Sequence, residues 1–159
     1  MNGTTRQDLV ITRDFDAPRE LVYRAFVDPD QLAAWFGPVG YSVPRDSVSV
    51  EPKAGGHYRF TMVSDDDPSQ TSPVNATFSE VIENELLVGS EEWAGAPGLA
   101  EGETMKMTMR LEFHDLADQG QSGRTRLVLR QGPYDPELEN MARAGWNSSF
   151  TKLDGLLAG

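Results

Sequence analysis

The side chains that could hold a ligand or carry a reaction fall into four sets, and the largest is aromatic and sulfur-bearing. Trp35, Phe36, Tyr58, Phe60, Met62, Phe78, Trp93, Met105, Met107, Met109, Met141, Trp146 and Phe150 are the candidate ligand-binding residues. Such a set either fills a core or lines an apolar cavity, and the residues alone leave both readings open. Three inward methionines in alternation favour an adaptable wall, because an unbranched thioether packs against irregular shapes.

The other three sets carry weaker signals. His57 and His114 are the only histidines and stand in no HxH, HExxH or HxxxH arrangement, so a structural or surface role is expected and no metal site. Asp46, Glu51, Glu80, Glu83, Glu85, Glu91, Glu92, Glu103 and Glu112 could supply an acid and base pair. Several lie in turns or on the polar phase of their strands, so solvated faces are expected. The Asp65-Asp66-Asp67 run lacks the calcium-loop pattern. Arg45, Arg59, Arg110, Arg126 and Arg130 could send one guanidinium to an anionic head group, but cross-strand pairing with Glu51, Glu112 or similar neighbours is the expectation. No G-x-S-x-G, P-loop or dinucleotide fingerprint occurs. No catalytic residue, cofactor or metal is expected.

The elements that must position these residues follow from periodicity. Leu9–Phe15 alternates as a strand. Asp16 is a candidate N-cap for a short helix through Leu21, Val22, Ala25 and Phe26, and a second short helix spans Pro29–Trp35 before Gly37-Pro38. Strands are expected over Val39–Val50, His57–Val63, Val74–Ile82, Leu86–Trp93, Thr104–Phe113 and Thr125–Gln131. Pro52 to Gly56 makes a turn needing glycine, the acidic Ser64–Pro68 run a hairpin loop, and Ala94–Gly102 a Gly/Ala/Pro-rich loop. From Asp135, a candidate N-cap before Pro136, the apolar positions Leu138, Met141, Ala142, Trp146, Phe150, Leu153, Leu156 and Leu157 recur at i, i+3/i+4 as the buried stripe of one long helix. Gly145 beside Trp146 costs ~1 kcal/mol relative to Ala in a helix interior, which close approach of helix to sheet or a slight bend over a cavity would explain. The order is β-α-α, six strands, then α. Two short helices plug one end of a curved antiparallel sheet, and the long helix crosses its concave face.

Composition narrows the partners. At 159 residues the chain is most simply one domain, residues 1–159, able to bury a proper core. A net charge of −11 argues against nucleic acid and anionic membrane surfaces, both of which call for clustered Lys and Arg. No apolar run reaches a membrane span, no signal-peptide pattern opens the chain, and there is no cysteine, so a cytoplasmic location is expected.

In sequence order, Val10-Ile11-Thr12-Arg13, Ala17-Pro18-Arg19-Glu20-Leu21-Val22, Asp28-Pro29-Asp30-Gln31-Leu32, Trp35-Phe36-Gly37-Pro38, Gly55-Gly56-His57-Tyr58-Arg59-Phe60 and Gly145-Trp146 form a recognisable series. It resembles the stand-alone bacterial proteins similar to the C-terminal domain of the activator of the heat-shock-protein-90 ATPase, in the START-like (SRPBCC) superfamily. The likeness covers roughly residues 8–157. It implies an α+β helix-grip fold: a curved antiparallel sheet of about six to seven strands wrapped on a long C-terminal helix, with two short helices after the first strand. Such folds characteristically enclose a cavity.

Three functions from different classes are then in view. The first is non-enzymatic binding of a small hydrophobic or amphipathic ligand between the long helix and the sheet. The second, resting on the resemblance, is a co-chaperone-like module with a chaperone as partner and a role in stress response. The eukaryotic activators carry an additional N-terminal domain that this sequence does not contain, which weighs against ATPase activation. The third is a cyclase or dehydratase acting on a polycyclic substrate, which requires a strongly perturbed carboxylate or histidine inside the cavity. The chain is expected to bind rather than catalyse, as a monomer or homodimer.

Overall fold

The computed structural model describes residues 6–94 and 102–158. The Ala94–Gly102 loop therefore lies almost wholly outside the described residues. Strand β1 (Gln7–Phe15) leads into helices α1 (Arg19–Val27) and α2 (Pro29–Trp35), followed by β2 (Tyr41–Ser42), β3 (Ser49–Val50), β4 (His57–Ser64), β5 (Thr71–Ile82), β6 (Leu86–Ala94), β7 (Thr104–Asp115), β8 (Thr125–Tyr134) and α3 (Pro136–Ala158). These strands form one sheet in the order β1-β8-β7-β6-β5-β4-β2, with β3 also on β4. Every pairing is antiparallel. The sheet curls as a half-barrel around α3, which is the helix-grip arrangement.

Local chemistry accounts for most boundaries. The α2 start is capped by the Asp28 carboxylate, which accepts from the N–H groups of Asp30 (2.9 Å) and Gln31 (3.3 Å), with Pro29 in the first turn. Asp16 caps nothing: the residue flanking α1 is Pro18, and it supplies no side-chain bond. The single strand expected over Val39–Val50 is instead two two-residue pieces separated by a 3-10 turn at Arg45–Ser47. Pro44, with no N–H to give a ladder, opens that turn. At the β3–β4 turn Gly55 has a φ of +83°, and a Cβ on Gly56 would lie 2.1 Å from the Glu51 carbonyl oxygen, so the turn requires both glycines.

The core sits between the sheet's concave face and the three helices. Phe150, fully buried on α3, stacks on Trp35 at 6.2 Å and meets Phe15 edge-on at 5.5 Å, while Trp146 meets Phe36 edge-on at 5.4 Å. Edge-to-face pairs of this kind add to the burial of each ring. Polar ties fix the helix on the sheet: Arg13 on β1 forks onto both Asp154 oxygens (2.9 and 2.8 Å), and Lys152 Nζ reaches the Tyr41 carbonyl at 3.1 Å. Among the described residues no helix is long and apolar enough to cross a membrane.

Candidate functional site: a pocket beneath the long helix

The packing that seats the C-terminal half of α3 does not extend along its N-terminal half. There the helix face Leu138, Met141, Ala142, Gly145, Trp146, Ser149 forms one wall of a solvent-open pocket of about 940 Å³. These positions recur at three and four residues, as one face of a helix must. The facing walls come from Met62 on β4, the start of β5 with its approaching turn (Ser69, Gln70, Thr71, Ser72), Trp93 on β6 and Met105 on β7. Phe36, Pro38 and Tyr41 close one side, and Gln131 and Tyr134 of β8 form the back.

The structure divides the thirteen candidate residues. Phe36, Met62, Trp93, Met105, Met141 and Trp146 line the pocket. Trp35, Tyr58, Phe60, Phe78, Met107, Met109 and Phe150 are not on its walls but packed in the core. Trp35 is fixed there by its indole N–H on the Ala25 carbonyl (2.8 Å), and Tyr58 and Phe78 pack ring to ring at 5.6 Å. Met141 is half exposed at the rim, not buried in the stripe. Gly145 does not mark close approach to the sheet: a Cβ there would meet nothing within 4 Å, because it faces open pocket.

Behind this back wall lies a polar cluster that reading the sequence missed. Glu91, expected on a solvated face, is buried. Gln131 Nε2 donates to its Oε1 at 2.7 Å, while Gln131 Oε1 accepts from the Tyr134 hydroxyl (2.6 Å) and the Trp146 indole N–H (2.8 Å). Burial pushes the Glu91 carboxyl up to about 7, against the Gln131 and Trp93 N–H groups, which favour the charged form. Burial, and secondarily the charge of Glu91, raises the Tyr134 hydroxyl. Although near enough to Glu91 to influence it, the Trp93 indole N–H makes no hydrogen bond of proper geometry. Among the described residues it is the buried side-chain donor without a partner.

The signal for Glu91 was present in the strand phase. Glu91 sits two residues before Trp93 and opposite Met107, both assigned inward, so it must share their face. Gln131 follows Leu127 and Leu129 in the same way. Tyr134 breaks the alternation: β8 shifts register between its pairings Gln131↔Leu9 and Tyr134↔Gln7, which turns Tyr134 back to the face of Gln131. Gly132-Pro133, between the two, is the sequence mark of that irregularity.

The remaining candidates stay outside the pocket. Arg126 forks onto Asp14 (2.8 and 3.1 Å), Arg110 pairs with Glu112 (2.7 Å), Arg45 with Asp30 and Arg130 with Asp8. The Arg126 partner holds the Asp14 carboxyl below its ordinary value, chiefly through that hydrogen bond. His57 meets Ser49 Oγ and His114 meets Glu112. Among the described residues no three acidic or histidine side chains gather as a metal site. With apolar walls and a neutral polar back, the pocket can shelter a small molecule and offer it hydrogen bonds.

Comparisons agree with this architecture. No curated protein matches the chain in sequence. A protein from Chromobacterium violaceum superposes with a TM-score of 0.77 at 21% identity, covering 96% of this chain and 99% of that one. The AHSA1 protein from Silicibacter pomeroyi gives 0.76 at 23% identity, covering 95% and 97%. A protein from Staphylococcus epidermidis gives 0.74 at 20% identity, covering 98% and 92%. At these identities the likeness shows a shared fold. The model of the family described as activator of Hsp90 ATPase homolog 1-like protein matches residues 16–158, nearly all of the sequence, and the chain belongs to that family.

Proposed function

We propose that the protein binds a small, largely apolar molecule in the pocket between α3 and the open end of the sheet, without transforming it. The observation that carries this reading is the pocket itself. Its volume of about 940 Å³ falls in the range of small-molecule sites, and Phe36, Met62, Trp93, Met105 and Trp146 supply its apolar wall. A closed interior would have removed the idea. Methionines from two strands of the wall, Met62 on β4 and Met105 on β7, suit a ligand of irregular outline.

An enzymatic reading has one observation in its favour, the buried Glu91 with its raised carboxyl. Glu91 does not line the pocket, however; Gln131 stands between, and an amide held by three hydrogen bonds is a poor proton carrier. The chaperone reading has family membership for its support. Native mass spectrometry of protein purified from its own host tests the binding reading. A single extra small-molecule mass, lost on denaturation, is the expected result. Bare protein, with no uptake of any added apolar compound, would overturn it.

A further inference from the structure

The two halves of α3 are held differently. Trp146, Ser149, Phe150 and Leu153 are buried, whereas no residue over 136–145 is. The C-terminal half is tied down by Asp154 on Arg13, by Lys152 on the Tyr41 carbonyl and by Ser148 Oγ, which accepts the Val39 N–H at 2.8 Å. The N-terminal half has exposed polar ties to the β1 edge: Arg143 Nη1 donates to the Val10 carbonyl (3.0 Å) and Gln7 Nε2 to Glu139 Oε1 (3.3 Å). Its apolar face, Leu138, Met141 and Ala142, looks onto the pocket, with Met141 52% exposed.

Between the halves the sequence is poor in helix formers. Gly145, Asn147, Ser148, Ser149 and Thr151 all rank below the straight-chain residues, and Gly145 costs most. Ser149 Oγ donates back to the Gly145 carbonyl (3.0 Å), a bond that weakens and bends helices. Trp146 anchors the same point, its indole N–H on Gln131 Oε1. An apolar face with no sheet to close on thus adjoins a weak point of its own helix.

We propose that residues 136–145 form a movable wall, which turns about residues 145–149 and closes on the apolar body of the ligand, with Leu138, Met141 and Ala142 as its gripping face. This rests on the binding reading above and adds how that site is entered and shut. In the free protein the wall is held by surface hydrogen bonds that water can replace. With ligand in place it gains the burial of its apolar face, and that differential contact shifts it toward the closed position.

Because the sequence contains no cysteine, pairs of spin labels can be placed at chosen sites. Asn140→Cys with Asn75→Cys measures from the movable half to β5, and Asn147→Cys with Asn75→Cys from the anchored half; all these sites are exposed. In the free protein the distance distribution from position 140 is expected to be about twice as wide as that from position 147. Saturation with the neutral apolar dye Nile red should narrow it and shift its mean by about 2 Å or more, leaving the distance from position 147 in place. Gly145→Ala, whose Cβ meets nothing within 4 Å, should by itself narrow the free distribution from position 140. If the dye binds but that distribution neither narrows nor shifts, or is as narrow as the control before dye is added, the wall is rigid and this proposal fails while pocket binding stands. If the dye gains no fluorescence with the protein, the binding reading falls and the closure with it.

Discussion

Glu91 is buried behind the pocket without lining it, held by the Gln131 amide. Its carboxyl, pushed up to about 7 by burial, holds a proton that the unfolded chain gives up near 4.5. Between those values the folded state binds more protons, so stability falls as pH rises from about 4.5 to 7 and is level beyond. The shift corresponds to a cost on the order of 3 kcal/mol above pH 7. Glu91→Gln, neutral at every pH, should therefore raise the denaturation midpoint at pH 8 and change it little at pH 5, as followed by thermal melts at the two values. Equal effects at both would mean the carboxyl titrates normally. The strand phase made this glutamate legible, since Trp93 and Met107 fix its face; a default of solvated carboxylates hid it. Tyr134 was harder to place: Gly132-Pro133 marks an irregularity in the strand, but the dipeptide does not say to which face the following residue returns.

At the level of elements, turns and caps were readable where the chemistry is local. Asp28-Pro29 announces the start of α2, and the turn at Gly55-Gly56 announces its own glycines. The second requirement is the sharper one: Gly56→Ala would drive a methyl to 2.1 Å from the Glu51 backbone oxygen, which cannot move aside without opening the β3–β4 turn. The expected result is a loss of about 2–4 kcal/mol in urea unfolding, against under 1 kcal/mol for a substitution at an open position. A loss of a few tenths would show that the turn is slack. The Val39–Val50 segment was misread because its apolar and β-branched residues outweighed Pro44, whose missing N–H decides the backbone there. The long helix was read correctly in extent. Of the two explanations for its mid-helix glycine, close approach to the sheet fails, because Gly145 is a point of clearance over the pocket.

For the whole molecule, the division of the aromatic and methionine set is what matters. Periodicity shows which residues face inward, but not whether the inward space is full. That depends on how far the sheet curls and where the helix departs from it, which are sums over many contacts and not properties of any segment. The chain resolves the question by packing the end nearest α1 and α2 and leaving the end nearest Gly145 open. Gly145→Leu turns this into one measurement. Leucine favours helix over glycine by about 0.8 kcal/mol, and its Cβ would meet nothing within 4 Å where the side chain enters the pocket. The account predicts a midpoint raised by about 2–3 °C together with Nile red affinity reduced tenfold or more. Unchanged dye binding would contradict the pocket as the site, and a fall in stability would contradict the open space beneath the helix.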